Sequence, residues 1–558
     1  MATMKRVGIP ILKGVVLLLA LNYLAGWLPL RLDLTEDGRY TLSNAAKNTL
    51  KDFEAPITVD VLLEGELPAE FLKLQAETEQ ILEEFESENS RLRVEFVDPL
   101  EGVDDRETTI NELQQIGLTP ASVTIEQDGK VSQELVFPWA MVNYNDKTVK
   151  VPLLKNKLGA TSEERVNLSV QQLEYAFADA FTKVGLTTKK KVAVIKGNNE
   201  LDDLYLADFL GEIKAYYNIG AITLDSVASN PQQLLDQLKT FDLALIAKPT
   251  QPFSDPEKYV LDQYIVNGGR SLWLIDQVAM ELDSLFNPTG SNLAINRDLN
   301  LNDFFFKFGI RLNTDLVSDL YNTPIVLATG EADASQYDPL PWVYHPMVFS
   351  RNDHPINNNI EALRLQFTGS IDTLGNAYDK TVLLSSSPLS KSEGIPRQIA
   401  LSGISNKPDQ QAYAGNGNLP LAVLVEGDFN SAFTNRVKPL RLKGAIEQGE
   451  SNKMLVIADG DLIKNQIRQG RPLPLGYDKW TNGSFGNKAF LINSMNYLLD
   501  DTGLINIRNK KVAIALLDQK KIADQKMKWQ LLNVLLPVGL LLIFGITANQ
   551  LRKRKFAS

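Results

Sequence analysis

Two long apolar runs lie near the ends of the chain, and a pattern of short alternating and amphipathic segments fills the space between them. The run over 529–546 (WQLLNVLLPVGLLLIFGI) carries no ionisable residue. As a helix, about 18 residues rising ~1.5 Å each give roughly 27 Å, close to the ~30 Å hydrocarbon layer of a bilayer. The run over 7–30 (VGIPILKGVVLLLALNYLAGWLPL) is broken only by Lys13, Asn22 and Tyr23. It is longer than a signal-peptide core and ends in Trp27-Leu28-Pro29, so it predicts an uncleaved anchor, a cleaved signal being the alternative, with Lys13 snorkelling to the headgroups. Lys5 and Arg6 flank the first run, and Arg552, Lys553, Arg554 and Lys555 follow the second. Cationic flanks stay cytoplasmic. Both termini are therefore expected inside, at an inner membrane, with residues from 31 to about 525 on the periplasmic side.

Within that region the pattern predicts a helix capped by Ser43, a strand over 57–63, and an acidic helix over 68–89. Phe71, Leu74, Thr78, Ile81, Leu82 and Phe85 share one face of that helix. A strand over 92–97, a helix over 108–116, and strands over 122–127, 132–138 and 141–151 follow, with a turn at Asp128-Gly129. The order β-α-β-α-β-β resembles a thioredoxin-like domain over 31–186. With no cysteine pair, such a domain is a scaffold or binding surface. A further helix over 167–184 would end at Gly185 as a C-cap.

From 187 to 503 strands and helices alternate: VAVIKGN, a helix over 204–217, a strand from 221, a helix over 231–239, FDLALIAKP, a helix over 255–267, then SLWLIDQ. Alternation of this kind implies an α/β domain with a parallel sheet covered on both faces. Ligands of such sheets sit beyond the carboxyl ends of the strands, which singles out Gly197, Asn198, Lys248 and Asp276. Residues 290–450 read as a mixed insertion holding Phe304 to Phe308, an aromatic and proline-rich loop over 337–346, and strands over 363–367, 381–385 and 421–426. The sheet resumes at 453–458, brings Asp459-Gly460-Asp461 to the same crevice, and is followed by a helix over 486–499. A juxtamembrane segment over 504–528, the span over 529–548 and a basic tail over 549–558 complete the chain.

Composition narrows the function. A net charge of -11 argues against a nucleic-acid partner. The absence of cysteine removes disulfides, thiolate nucleophiles and thiolate metal sites. His345 and His354 are the only histidines, each before a proline in an expected loop, and no Gly-x-Ser-x-Gly elbow supplies a nucleophile. No phosphate-binding Gly-x-x-x-x-Gly-Lys loop occurs either. Asp459 and Asp461 offer too few oxygens for an octahedral metal and read as a hydrogen-bonded turn. No catalytic residue, metal or cofactor is expected.

Several stretches carry a resemblance: DLTEDGRYTLS at 33–43, LAVLVEGDFNSAF at 421–433, MLVIADGDLI at 454–463, GNKAFLINSMNYLLDD at 486–501, and LLNVLLPVGLL within the C-terminal run. Together they resemble the gliding-motility GldG proteins of the Bacteroidota, auxiliary and substrate-binding-like subunits of an ABC transporter. The resemblance implies a flavodoxin-like or class I amidotransferase-like second domain, similar to one in intraflagellar transport proteins. The catalytic triad of amidotransferases needs a cysteine that this chain lacks. It also implies a permease, a cytoplasmic ATPase reached through it, and other envelope components as partners. Trp529, Asn533 and Pro537 are then the expected contacts with lipid and permease. A tethered solute or glycan receptor is the alternative, and a hydrolase using His345 or His354 a third reading.

Overall fold

The computed structural model describes residues 41–65, 67–127, 130–155, 160–329, 336–350, 352–375, 377–405, 408–509 and 519–556, with 14, 16 and 17. The described chain is a mixed α/β structure with a partly parallel seven-stranded sheet. The expected span over 7–30, Lys5, Arg6 and the Asp128-Gly129 turn lie outside the described residues, apart from Gly14, Val16 and Leu17, which are helical. The chain divides into two units, Met1–Lys511 and Val512–Ser558.

The first unit begins with a short helix, α1 (Asn44–Asn48), whose Ala46 amide donates to the capping Ser43 hydroxyl. Strands β1 (Ile57–Val61) and β2 (Leu92–Phe96) run parallel, linked by α2 (Ala69–Glu88). After α3 (Arg106–Gln115) come β3 (Trp139–Tyr144) and β4 (Lys147–Pro152). They complete a sheet of order β2-β1-β3-β4 in which β3 alone is reversed. Phe71, Leu74, Ile81, Leu82 and Phe85 of α2 are buried, as their helical spacing requires, and Phe85 meets Phe181 edge-on at 5.1 Å.

Three expectations here need correction. The single strand over 141–151 is two, because Asn145 takes a left-handed φ of 50° and turns the chain. The helix over 167–184 is also two, α4 (Ser162–Val170) and α5 (Leu173–Gly185), broken at Gln171-Gln172. The first is set by a capping box between Thr161 and Glu164. Gly185 is not a left-handed cap: it is the last residue of α5, and a Cβ there would come within 2.9 Å of the Phe53 ring.

The larger sheet contains β5 (Lys191–Lys196), β6 (Asn218–Thr223), β7 (Leu243–Ala247), β8 (Arg270–Leu274), β9 (Asp379–Ser385), β10 (Pro420–Asn430) and β11 (Gln448–Ile457). Its order is β9-β10-β11-β8-β7-β5-β6. The five strands from β11 to β6 are parallel, β10 pairs antiparallel with β11, and β9 pairs antiparallel with β10. Alternate residues divide between two cores, as the period of two demands. Ala244, Ile246, Trp273 and Val456 pack with α7 (Pro231–Leu238), α8 (Asp255–Val266) and α9 (Asn302–Lys307). Leu243, Leu245, Leu272 and Leu455 pack with α6 (Asp203–Ile213) and α10 (Asn487–Leu499) on the other face. The strands expected over 381–385 and 421–426 thus belong to this main sheet.

The expected loop over 337–346 is instead a strand, Gln336–Val348, paired with Asn322–Thr329. Pro339 and Pro341 are two residues apart, so both missing donors fall at equivalent ladder positions, and a register shift near Asn322 precedes Pro346. His345 is therefore on a strand, buried, and not in a loop.

The second unit is α11 (Gln519–Phe556), continuous through Pro537. Its stretch Gln525–Arg554 is, among the described residues, the one helix long and apolar enough to cross a membrane. Trp529 and the apolar side chains that follow it are exposed, as are Arg552, Lys553 and Arg554. Lys555 lies in the same helix.

Candidate functional site

Three loops at the carboxyl ends of β7, β8 and β11 meet in a buried charge cluster. Lys248, the first residue beyond β7, has a left-handed φ of 53°, a conformation costing a side-chain-bearing residue about 1–2 kcal/mol. It is only 3% exposed. Its Nζ lies 2.6 Å from Asp461 Oδ1, 2.8 Å from Glu281 Oε1 and 3.3 Å from Asp276 Oδ2. Arg297 stands 3.7 Å from both Asp276 and Glu281, and Lys464 lies 3.4 Å from Asp461.

Asp459 and Gly460 hold the cluster in place. Asp459 Oδ1 accepts the Asp461 and Leu462 amides at 2.7 and 3.1 Å, and its Oδ2 accepts the Gln366 amide at 2.6 Å. The Gly460 amide donates to Asp276 Oδ1 at 2.5 Å. A Cβ on Gly460 would sit 2.5 Å from Lys248 Cγ, so the glycine makes room for the lysine stem. The Asp-Gly-Asp turn is thus shaped around Lys248.

Electrostatics follow from that geometry. Burial pulls the Lys248 ammonium down, but Asp461, Asp276 and Glu281 outweigh it and hold the ammonium above its ordinary range. Burial also pushes Asp461 up, and Lys248 with Lys464 overcomes this to leave it below the usual carboxylate range. Asp276 is raised by burial against the pull of Lys248. Asp459 is raised well above the ordinary value, by burial first and then by Asp276 and Asp461. Three cations face four carboxyls, and the like charges of Asp276 and Asp461 add to burial in disfavouring the charged form of Asp459.

Asp276, Glu281 and Asp461 each offer an oxygen within 4.8 Å of the others, a spacing that could hold a metal ion. The Lys248 ammonium lies within 3.3 Å of all three and takes the position an ion would need. These carboxylates are neutralised by the protein itself.

The structure therefore brings Lys248, Asp276, Asp459 and Asp461 together. Gly197 and Asn198 serve a neighbouring loop contact. The Asn198 carbonyl accepts the Thr250 and Gln251 amides at 2.9 and 3.0 Å, and its side chain donates to Pro252 at 3.2 Å. Gly197 has a φ of 124°, and a Cβ there would meet the Leu224 amide at 3.1 Å. Sequence reasoning missed Glu281 and Arg297, which sit in irregular segments with no motif around them, and Lys464, which directly follows the run over 454–463.

A cleft of about 250 Å³ opens beside the cluster, lined by Tyr205, Glu281, Arg364, Lys464, Lys479 and Trp480 among others. Trp480 is exposed and stacks on Tyr337 with ring centroids 6.4 Å apart. Lys464 and Lys479 lie over the Tyr205 and Trp480 rings at 5.3 and 5.4 Å.

The histidines stand elsewhere. Burial and then Arg364 hold His345 well below its ordinary value, with Nδ1 3.4 Å from the Arg364 guanidinium. His354 accepts the Ile356 amide at 3.3 Å and packs on Tyr497 at 4.6 Å. Burial and Lys453 lower it to about 4. Each ring is engaged with structural neighbours.

The fold and this self-neutralised site describe an α/β protein whose chain also carries a membrane-compatible helix. The chain belongs to the family described as an ABC-type uncharacterized transport system, whose profile matches residues 189–494 of 558. Membership makes it an auxiliary component of an ABC-type transport system. Residues 36–143 match a second family, described as a domain of unknown function. No curated protein matches the chain. Among solved structures, one titled "mmIFT52 N-terminal domain" is similar at 13% identity and a TM-score of 0.33, covering 56% of this chain and 99% of that one.

Proposed function

We propose that the protein is a non-catalytic, membrane-anchored auxiliary subunit of an ABC transporter linked to gliding motility. Its periplasmic domains act as an interaction module. The match of residues 189–494 to an ABC-type transport family carries this reading. The exposed apolar helix α11 supports anchoring beside a permease, with Trp529, Asn533 and Pro537 at the contact and a cytoplasmic ATPase reached through the permease. In this reading 7–30 and 529–548 both span the inner membrane, with Lys5, Arg6 and the 552–555 cluster inside. Residues 31–186 form a thioredoxin-like scaffold, a proposal supported by the strand order with β3 alone reversed. Residues 187–503 form a flavodoxin-like or amidotransferase-like domain, supported by five parallel strands with helices on both faces. The self-neutralised Lys248 cluster supports a structural role for the crevice. Purification of the tagged chain from native membranes tests the reading: permease and ATPase are expected with it, and their absence contradicts it.

A tethered solute or glycan receptor is the second reading, favoured by the open cleft in which Trp480 and Tyr205 present rings beside Lys464 and Lys479. Aromatic faces beside polar groups suit sugar-like or polar ligands. Ligand-panel thermal shifts that vanish in Trp480→Ala would support it, and a flat response across the panel would remove it.

A further inference from the structure

We propose that the cavity between Lys155 and Arg508 binds a small oxyanion, a carboxylate or a phosphate group. This cavity of about 210 Å³ lies away from the Lys248 cluster, lined by Lys155, Gln172, Tyr175, Asp179, Tyr216 and Arg508 among others. It joins four parts of the first unit. Lys155 follows β4, Gln172 and Tyr175 belong to the start of α5, and Arg508 lies in the Leu504–Asn509 turn. Tyr216 follows α6.

The cations of this cavity are not balanced. Lys155 Nζ donates to the Gln172 side-chain carbonyl, a neutral partner. Arg508 is buried, donates Nη2 to the Asn358 carbonyl at 2.6 Å, and lies over the Tyr175 ring at 4.9 Å. Its Nε is buried without a hydrogen-bond partner. Among the described residues, neither Lys155 nor Arg508 has a carboxylate within ion-pair distance. Asp179, the acid in the cavity wall, is held by Lys183 at 2.9 Å and by the Tyr216 hydroxyl at 3.1 Å. Glu361 acts on Lys155 electrostatically, but less strongly than Arg508 does in the opposite sense.

Two like charges in one buried cavity are costly unless an opposite charge joins them. The Lys155 ammonium registers that cost, pulled down to about 7 by burial first and by Arg508 next. An oxyanion between the two groups would accept from the ammonium and from the guanidinium fork, a geometry that carboxylates and phosphates share. The contrast with Lys248 is direct. There the chain supplies three carboxylates for one lysine, and here, among the described residues, none is in contact with either of two cations. The cavity volume limits the ligand to a small anion or the acidic end of a larger one.

The test uses the full chain in detergent, comparing thermal unfolding in sodium phosphate and in sodium acetate with sodium chloride of equal ionic strength. At least one oxyanion should raise the midpoint beyond chloride in a saturable way. Lys155→Met and Arg508→Met should each weaken the apparent affinity by about tenfold or more, a loss readable from the shift in half-saturation. Lys155→Met replaces the buried ammonium with an apolar side chain of similar length, so it decides the matter if Arg508→Met does not fold. No oxyanion shift beyond chloride would overturn the proposal. A shift left unchanged in Lys155→Met would also overturn it, because it would be the general stabilising action of such salts.

Discussion

The Lys248 ammonium lies 2.6 Å from the Asp461 carboxylate, joining the end of β7 to the turn after β11 across the intervening strand β8. The same ammonium reaches Asp276 beyond β8, so one side chain fastens three adjacent strand ends. Lys248→Met would leave the carboxylates buried without their central partner. A loss of about 3–5 kcal/mol is expected, the usual consequence of removing one member of a buried ionic group. Chemical denaturation of the full chain checks it, and a loss under about 1 kcal/mol would mean that water or a neighbour replaces the ammonium.

Gly460 provides a second probe of the same contact. Its φ of -76° is ordinary, so glycine is present for space and not for backbone freedom. In Gly460→Ala the new methyl would meet the Lys248 stem, pinned at its far end by three carboxylates. Overpacking of this kind costs about 1–3 kcal/mol. Adding Gly460→Ala to Lys248→Met should cost much less than adding it to the wild type, because the methionine stem is no longer held. Equal costs in both backgrounds would refute the contact.

Acid stability should show two opposed contributions. His354 is held to about 4 against an ordinary 6.5, so the unfolded chain takes its proton first and stability falls as pH drops through that window. Asp262 is raised to about 6 from 3.8, by burial against hydrogen bonds from Ser431 and Ala432. There the folded chain takes the proton first, and stability rises as pH falls from about 6. His354→Gln should therefore make the protein more resistant to acid between pH 6.5 and 4, and Asp262→Asn should steepen its acid loss. Midpoints measured across that range for both variants check the signs.

Periodic segments were readable from the sequence where burial alone decides them. The six buried positions of α2 follow from helical spacing, and the apolar strands β5, β7 and β8 follow from their continuous runs. The convergence of Lys248, Asp276, Asp459 and Asp461 followed from the rule that loops after parallel strands meet at one edge. What escaped was set by contacts distant in sequence. Gly185 accommodates Phe53, Lys248 adopts a left-handed backbone, and the proline-containing strand at 336–348 is held by its partner at 322–329. Glu281 and Arg297 reach the cluster from irregular loops whose local patterns carry no sign of it.

Helix α11 should do more than hold the chain at a bilayer. Replacing 529–546 by a uniform leucine helix removes Asn533 and Pro537 while keeping length and hydrophobicity. Membrane insertion should persist and assembly with a permease should fail. Detergent-solubilised membranes probed for both properties separate anchoring from docking, and unchanged assembly would refute the helix contact.

Association of this chain with an ABC transporter in the membrane is open to direct measurement. Its most direct measurement is quantitative purification of the tagged, full-length protein from native membranes after brief cross-linking. An ABC permease and its ATPase are expected in constant ratio to the tagged chain. Recovery of the chain without either component would contradict it.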